Sequence, residues 1–166
     1  MKTCVAYYSK TGNIEIAAEY LAEKIGAKAI KLDDKTNYKG IIGFLKGGLN
    51  ASTVKKAELD KSIYSEISKC NQIVLATPVW AGKTTPAINS VLENVDFKGK
   101  EVYVMTTQAD PAFGGEQERK DFYKQIIESK EGKLIEYFSL VGTPPGKPAR
   151  SKEDLKGQVD NTITIK

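Results

Sequence analysis

Apolar residues fall along this chain in two alternating patterns. Five short runs read as strands, Lys2–Tyr8, Ala27–Leu32, Gln72–Thr77, Glu101–Thr107 and Lys133–Val141, and of these Lys2–Tyr8 and Gln72–Thr77 are apolar at nearly every position. Such runs predict strands buried on both faces, as in a parallel sheet. Between them lie segments with helical spacing. In Asn13–Ile25, Ile14, Ala17, Ala18, Leu21 and Ile25 share one face, and Gly26 is placed to stop the helix. Thr85–Asn94 carries Pro86 in its first turn, where proline is tolerated. Glu116–Ser129 predicts a further helix ending near Gly132, and Ser151 caps a last short one running to about Val159. Strands separated by helices predict an α/β fold: a doubly wound five-stranded parallel sheet, order 2-1-3-4-5, with helices on both faces.

One segment breaks the rhythm. Thr36–Asp60 places Gly40, Gly43, Gly47 and Gly48 among Ile41, Ile42, Phe44, Leu45 and Leu49. It reads as a short helix followed by a glycine turn. Connections this long are often functional, although a surface excursion packing Phe44 and Leu45 onto the body accounts for the same residues.

Bulk properties narrow the function. A length of 166 residues predicts a single domain spanning 1–166, large enough for a real core. No apolar run nears the roughly 20 residues of a membrane helix, and the N-terminus lacks a leader pattern, so a cytoplasmic protein with no membrane contact is expected. The net charge of +4 is spread over scattered lysines, without the basic, aromatic-interleaved runs of a nucleic-acid surface. Cys4 and Cys70 suggest buried thiols rather than a disulfide framework or a C-x-x-C motif. The chain has no histidine, which removes Ser-His-Asp and Cys-His catalysis and makes a zinc site improbable. No metal is expected and no side chain is assigned as catalytic. Any redox chemistry must come from a bound cofactor.

The unusual loops all follow strands. Tyr8-Ser9-Lys10-Thr11-Gly12-Asn13-Ile14 joins the first strand to the first helix. A helix start offers backbone N–H groups without partners and the positive end of the dipole, a ready anion site. Ser9 and Thr11 add hydroxyls, and Gly12 allows close approach. The spacing is neither that of a nucleotide-hydrolase loop nor G-x-G-x-x-G. A tight turn with a good helix cap would use the same residues. Thr77-Pro78-Val79-Trp80-Ala81-Gly82-Lys83 ends the third strand and carries the only tryptophan. Its indole could present a flat face to a planar ring or simply cover the sheet end. Thr107-Gln108-Ala109-Asp110, followed by Gly114-Gly115, ends the fourth strand and supplies hydroxyl, amide and backbone groups, or else a polar helix cap.

The phosphate-type loop and the T-P-V-W-A-G-K segment, in this order, resemble those of flavodoxins, and the resemblance runs from Lys2 to about Val141. It implies non-covalently bound FMN. By position, Ser9, Lys10, Thr11, Gly12 and Asn13 would go to the phosphate, with Ile14 where the family often has threonine. Thr77, Pro78, Val79, Trp80, Ala81, Gly82 and Lys83 would flank one side of the ring. Thr107, Gln108, Ala109, Asp110, Gly114 and Gly115 would line the other. Loss of the threonine hydroxyl at Ile14 is worth roughly 0.5–1.5 kcal/mol if that contact is net favourable. Carrier flavodoxins are typically acidic, whereas this chain is basic on balance, so a less reducing flavin is expected.

The resemblance implies an electron-transfer protein working with redox partner proteins or a small-molecule acceptor, as monomer or homodimer. A small NAD(P)H-dependent FMN or quinone reductase is the enzymatic alternative. A flavin-free interaction module on the same fold is a third.

Overall fold

The computed structural model describes residues 1–35 and 56–165; most of the glycine-rich excursion, residues 36–55, lies outside them. Five strands form one parallel sheet: β1 (Thr3–Tyr7), β2 (Lys28–Lys31), β3 (Gln72–Pro78), β4 (Glu101–Gln108) and β5 (Lys133–Val141). Their order is β2-β1-β3-β4-β5, as the alternation predicts. Among the described residues five helices accompany them: α1 (Asn13–Ile25), α2 (Lys61–Ser68), α3 (Pro86–Asn94), α4 (Glu116–Ser129) and α5 (Lys152–Thr162). The last helix runs beyond the predicted Val159, because that residue and Ile163 both turn inward.

Strand periodicity sorts the side chains onto two cores. On one face Cys4, Ala6, Ile73, Leu75, Val102 and Val104 pack with Ile67, Ile88, Val91, Tyr123 and Ile127 from α2, α3 and α4. On the other, Val5, Tyr7, Val74, Ala76, Tyr103 and Met105 pack with Ile14, Ala17, Ala18 and Leu21 from α1 and Val159 from α5. Both faces are covered, so the central strands must be apolar throughout, and β3 is buried at every position up to Pro78. Cys4 and Cys70 are free and buried.

The helix ends follow local chemistry. Asp60 accepts from the Ser62 N–H and caps α2, and Ser151 accepts from the Asp154 N–H and caps α5. Gly26 ends α1 in the left-handed conformation, φ +64°. No helix among the described residues is long and apolar enough to cross a membrane.

The consequence for function is positional. The chain leaves β1 toward β2 on one side and returns to β3 on the other, so the carboxyl ends of β1 and β3 form the switch point where ligands bind in such sheets. Backbone bonds carry the ladder past these ends: Tyr8 N–H donates to Ala76 C=O (3.0 Å), Val79 N–H to Thr107 C=O (2.9 Å) and Gly142 N–H to Gln108 C=O (2.8 Å). The three candidate loops are thus held on one edge.

Candidate functional site

At the first loop the chain turns sharply into α1 with Gly12 at φ +94°, a conformation that suits glycine. Ile16 N–H makes the first helical bond, to Gly12 C=O. The N–H groups of Asn13, Ile14 and Glu15 have no acceptor among the described residues, and no side chain caps the helix. The hydroxyls are prepared in the same sense. Ser9 Oγ accepts from Gly12 N–H at 3.2 Å and Thr11 Oγ1 accepts from Asn13 Nδ2 at 3.0 Å. Each keeps its own O–H proton to donate. Three N–H groups without acceptors and two hydroxyls able to donate thus stand together at the positive end of α1, and this donor set fits a phosphate group.

The side chains of Asn13 and Ile14 have parts within the fold. The Asn13 side chain is buried and bonds beyond the loop as well as within it: Nδ2 also donates to Thr143 Oγ1 (2.8 Å), and Oδ1 accepts from Arg150 N–H (3.0 Å). It latches the segment after β5, residues 142–151, against the first loop. Ile14 is 1% exposed in the core beneath α1, so only its backbone faces the site. Lys10 is half-buried with Nζ 5.5 Å from the Trp80 ring centroid; burial pushes its ammonium below the usual lysine range.

The second loop is a tight turn. Trp80 and Lys83 exchange both backbone bonds, at 2.9 and 2.8 Å, and Ala81 and Gly82 between them have φ +48° and +73°. Two left-handed residues in succession make the turn that Gly82 suggests, and Ala81 is strained in it. Ala81, Gly82 and Lys83 are exposed, so the backbone groups of Ala81 and Gly82 face outward. Trp80 has the packing role: it is 6% exposed and set edge-on to Tyr8 at 5.4 Å. The Thr77 hydroxyl is also committed inward, 2.9 Å from Thr85 Oγ1 at the start of α3.

In the third loop Asp110 is a structural cap. Its carboxylate accepts from Ala112 N–H (2.9 Å) and Gly114 N–H (3.1 Å), and these bonds hold it below the usual carboxylate range. Ala109 is exposed, Thr107 is buried, and Gly115 begins α4 at φ +72°. Gln108 is engaged from behind by Arg119, a residue the motif reading passes over. Arg119 is 6% exposed. Its Nε donates to Tyr137 Oη (3.1 Å), one terminal nitrogen donates to Gly114 C=O (2.9 Å), and the other to Gln108 Oε1. Tyr137 Oη lies 3.0 Å from Thr106 Oγ1. Next to it Tyr123 donates to Thr84 Oγ1 at 2.7 Å. This buried polar layer ties the second loop to the third. One sequence signal points to it. Arg119, Tyr123 and Ile127 recur at the spacing of a buried helix face, and an arginine in the first turn opposes the dipole.

The sequence pattern of the Flavodoxin family matches residues 2–141. No curated protein sequence gives a match. Among solved structures, a candidate flavoprotein from Bacteroides eggerthii superposes with a TM-score of 0.66 at 19% identity, covering 96% of each chain. A flavoprotein from Lactobacillus acidophilus in complex with FMN gives 0.64 at 18%, covering 83% of this chain and 91% of that one. Oxidised flavodoxin 1 from Bacillus cereus gives 0.58 at 15%, covering 97% and 94%. At these identities the structural likeness is one of fold, and it agrees with the strand order. The family match spans the whole sheet and all three loops, and the chain belongs to the flavodoxin family.

Proposed function

We propose that this protein binds FMN non-covalently at the carboxyl edge of the sheet and transfers electrons through it. The observation that carries the reading is the uncapped start of α1. The N–H groups of Asn13, Ile14 and Glu15 stand beside the donor hydroxyls of Ser9 and Thr11, within a family whose members hold a flavin phosphate at this place. Bound FMN supplies the redox chemistry. The chain's own residues bind and orient. Ser9, Thr11 and the first turn of α1 would hold the phosphate. The exposed backbone of Ala81 and Gly82 would meet one edge of the ring system, and Gln108 with the Asp110–Gly115 turn would meet the other. Redox partner proteins or a small-molecule acceptor would exchange the electrons, in the cytoplasm.

The test is an absorption spectrum of the purified protein after FMN is added and unbound flavin removed, followed through stepwise dithionite reduction. Retained flavin passing through a stable one-electron stage supports the carrier. Retained flavin that bleaches with NAD(P)H alone, with no such stage, replaces the carrier by a reductase. No retained flavin refutes the reading and leaves a flavin-free module.

A further inference from the structure

Arg119 is the only buried Lys, Arg, Asp or Glu among the described residues. A buried cation is costly unless its hydrogen bonds are complete and an opposite charge is near. Here each guanidinium nitrogen has an acceptor, but every acceptor is neutral: Tyr137 Oη, Gly114 C=O and Gln108 Oε1. No ion pair involving Arg119 occurs among the described residues. The neighbouring Lys120 takes Glu136 instead, at 2.9 Å, and Asp110 spends its carboxylate on Ala112 and Gly114 N–H. Glu118 is exposed. The guanidinium also sits in the first turn of α4, where the dipole is unfavourable to a cation. The fold thus buries a cation directly under the third loop with only neutral hydrogen-bond acceptors, and the carboxylates around it, Asp110, Glu116 and Glu118, form no ion pair with it among the described residues. An anion forming on the far side of that loop would offset it.

We propose that Arg119 sets the reduction potential of the bound flavin. It positions the third loop through Gln108 and Gly114, and it supplies the positive charge that favours the anionic over the neutral reduced ring. The proposal rests on the FMN reading above. Reduction to the neutral form takes two electrons and two protons, and reduction to the anion takes two electrons and one proton, so the charge stabilises the product with one proton fewer. The other ionisable groups facing Arg119 are Tyr137 on β5, Tyr123 on α4, and the Glu118 and Asp110 carboxylates. Burial pushes the Tyr123 hydroxyl up and backbone bonds hold Asp110 down, so neither changes charge between about pH 6 and pH 9.

The experiment measures FMN affinity by fluorescence and the two-electron midpoint potential, in a mediated electrochemical titration across that pH range. The proteins are the wild type, Arg119→Lys and Arg119→Gln. In Arg119→Gln the preference for reduced over oxidised FMN should fall about tenfold, which is about 30 mV for a two-electron couple. The pH at which reduction changes from two protons to one should rise. Arg119→Lys keeps the charge but cannot hold three acceptors in a fork; it should bind FMN more weakly with a near-wild-type potential. Equal potentials and equal pH breaks in wild type and Arg119→Gln overturn the proposal, and so does a potential that drops as far in Arg119→Lys. If Arg119→Gln fails to fold, the wild type decides: a pH break below that of free FMN in the same buffer supports the proposal, and one at or above it overturns the proposal. Absence of FMN uptake by the wild type refutes the FMN reading itself, a separate outcome.

Discussion

Replacing Asn13 by alanine should uncouple the first loop from the segment after β5. Three hydrogen bonds converge on this one buried amide: to Thr11 Oγ1, to Thr143 Oγ1 and from Arg150 N–H. A typical intramolecular bond contributes about 0.5–1.5 kcal/mol net, and a buried group left without a partner costs about 1–3 kcal/mol. The Arg150 N–H is the group most exposed to that penalty, because Oδ1 is its one acceptor among the described residues. Thr11 and Thr143 sit nearer solvent and recover water. A loss of about 3 kcal/mol follows. For a chain of this size each kcal/mol moves Tm by about 2–4 °C, so apoprotein Asn13→Ala should melt roughly 6–12 °C lower.

Asn13→Asp separates the latch from the ligand site. The carboxylate still accepts from Arg150 N–H and lies at the positive end of α1, where an anion is favourable by about 0.3–1 kcal/mol. Its apoprotein should therefore melt well above Asn13→Ala. The same charge sits beside the phosphate cradle and repels a bound phosphate, so its preference for FMN over riboflavin should collapse. Differential scanning calorimetry of the apoproteins and flavin fluorescence titrations with both ligands give the two readouts. An Asn13→Ala protein with unchanged Tm would refute the latch. An Asn13→Asp protein that still prefers FMN over riboflavin would refute the placement of the phosphate beside Asn13.

Gly12→Ala should cost about 1–2 kcal/mol, because an L-residue is strained at the left-handed conformation the turn requires, and its Cβ would meet Ala149 Cβ at 3.4 Å; the loss should appear both in Tm and in FMN affinity, and a neutral effect would count against this loop geometry. Asp110 lowers its own pKa through the Ala112 and Gly114 bonds, so its contribution is present in full above the unfolded value of about 3.8 and lost as pH falls through the lower folded one. Acid titration of stability in Asp110→Ala should show a shallower fall below about pH 4 than the wild type; parallel curves would contradict this. Burial, with the Cys70 thiol as neighbour, pushes the Cys4 thiol up, so a thiol reagent should label both cysteines only on unfolding, and fast labelling of the native protein would show that the strand edge opens.

The fold was legible because its signals are local and redundant. Strands covered on both faces must be apolar at nearly every position, so β1, β3 and β4 declare themselves in sequence, and the separating helices leave few ways to order the sheet. The first loop was legible for a related reason: its chemistry is made by neighbours in the chain. Ser9 with Gly12, and Thr11 with Asn13, bond within three residues. Ile14 answers to two patterns at once: by position in the motif it is a lost phosphate contact, and on α1 it shares the inward face with Ala17, Ala18 and Leu21.

What stayed hidden was built across the chain. Asn13 reaches residues more than a hundred positions away. Arg119 joins the ends of β4 and β5 to the start of α4. No spacing rule connects such partners, but each leaves a local inconsistency. A cation in the first turn of a helix, at the position the apolar repeat assigns to the core, violates both the dipole preference and the hydrophobic pattern. Sequences that fold are locally consistent almost everywhere, so a residue breaking two rules at once marks a place where the tertiary structure supplies the compensation. For Arg119 the compensation visible in the fold is partial: each guanidinium nitrogen has an acceptor, all three acceptors are neutral, and no carboxylate pairs with it among the described residues. An anion bound at the third loop would add opposite charge.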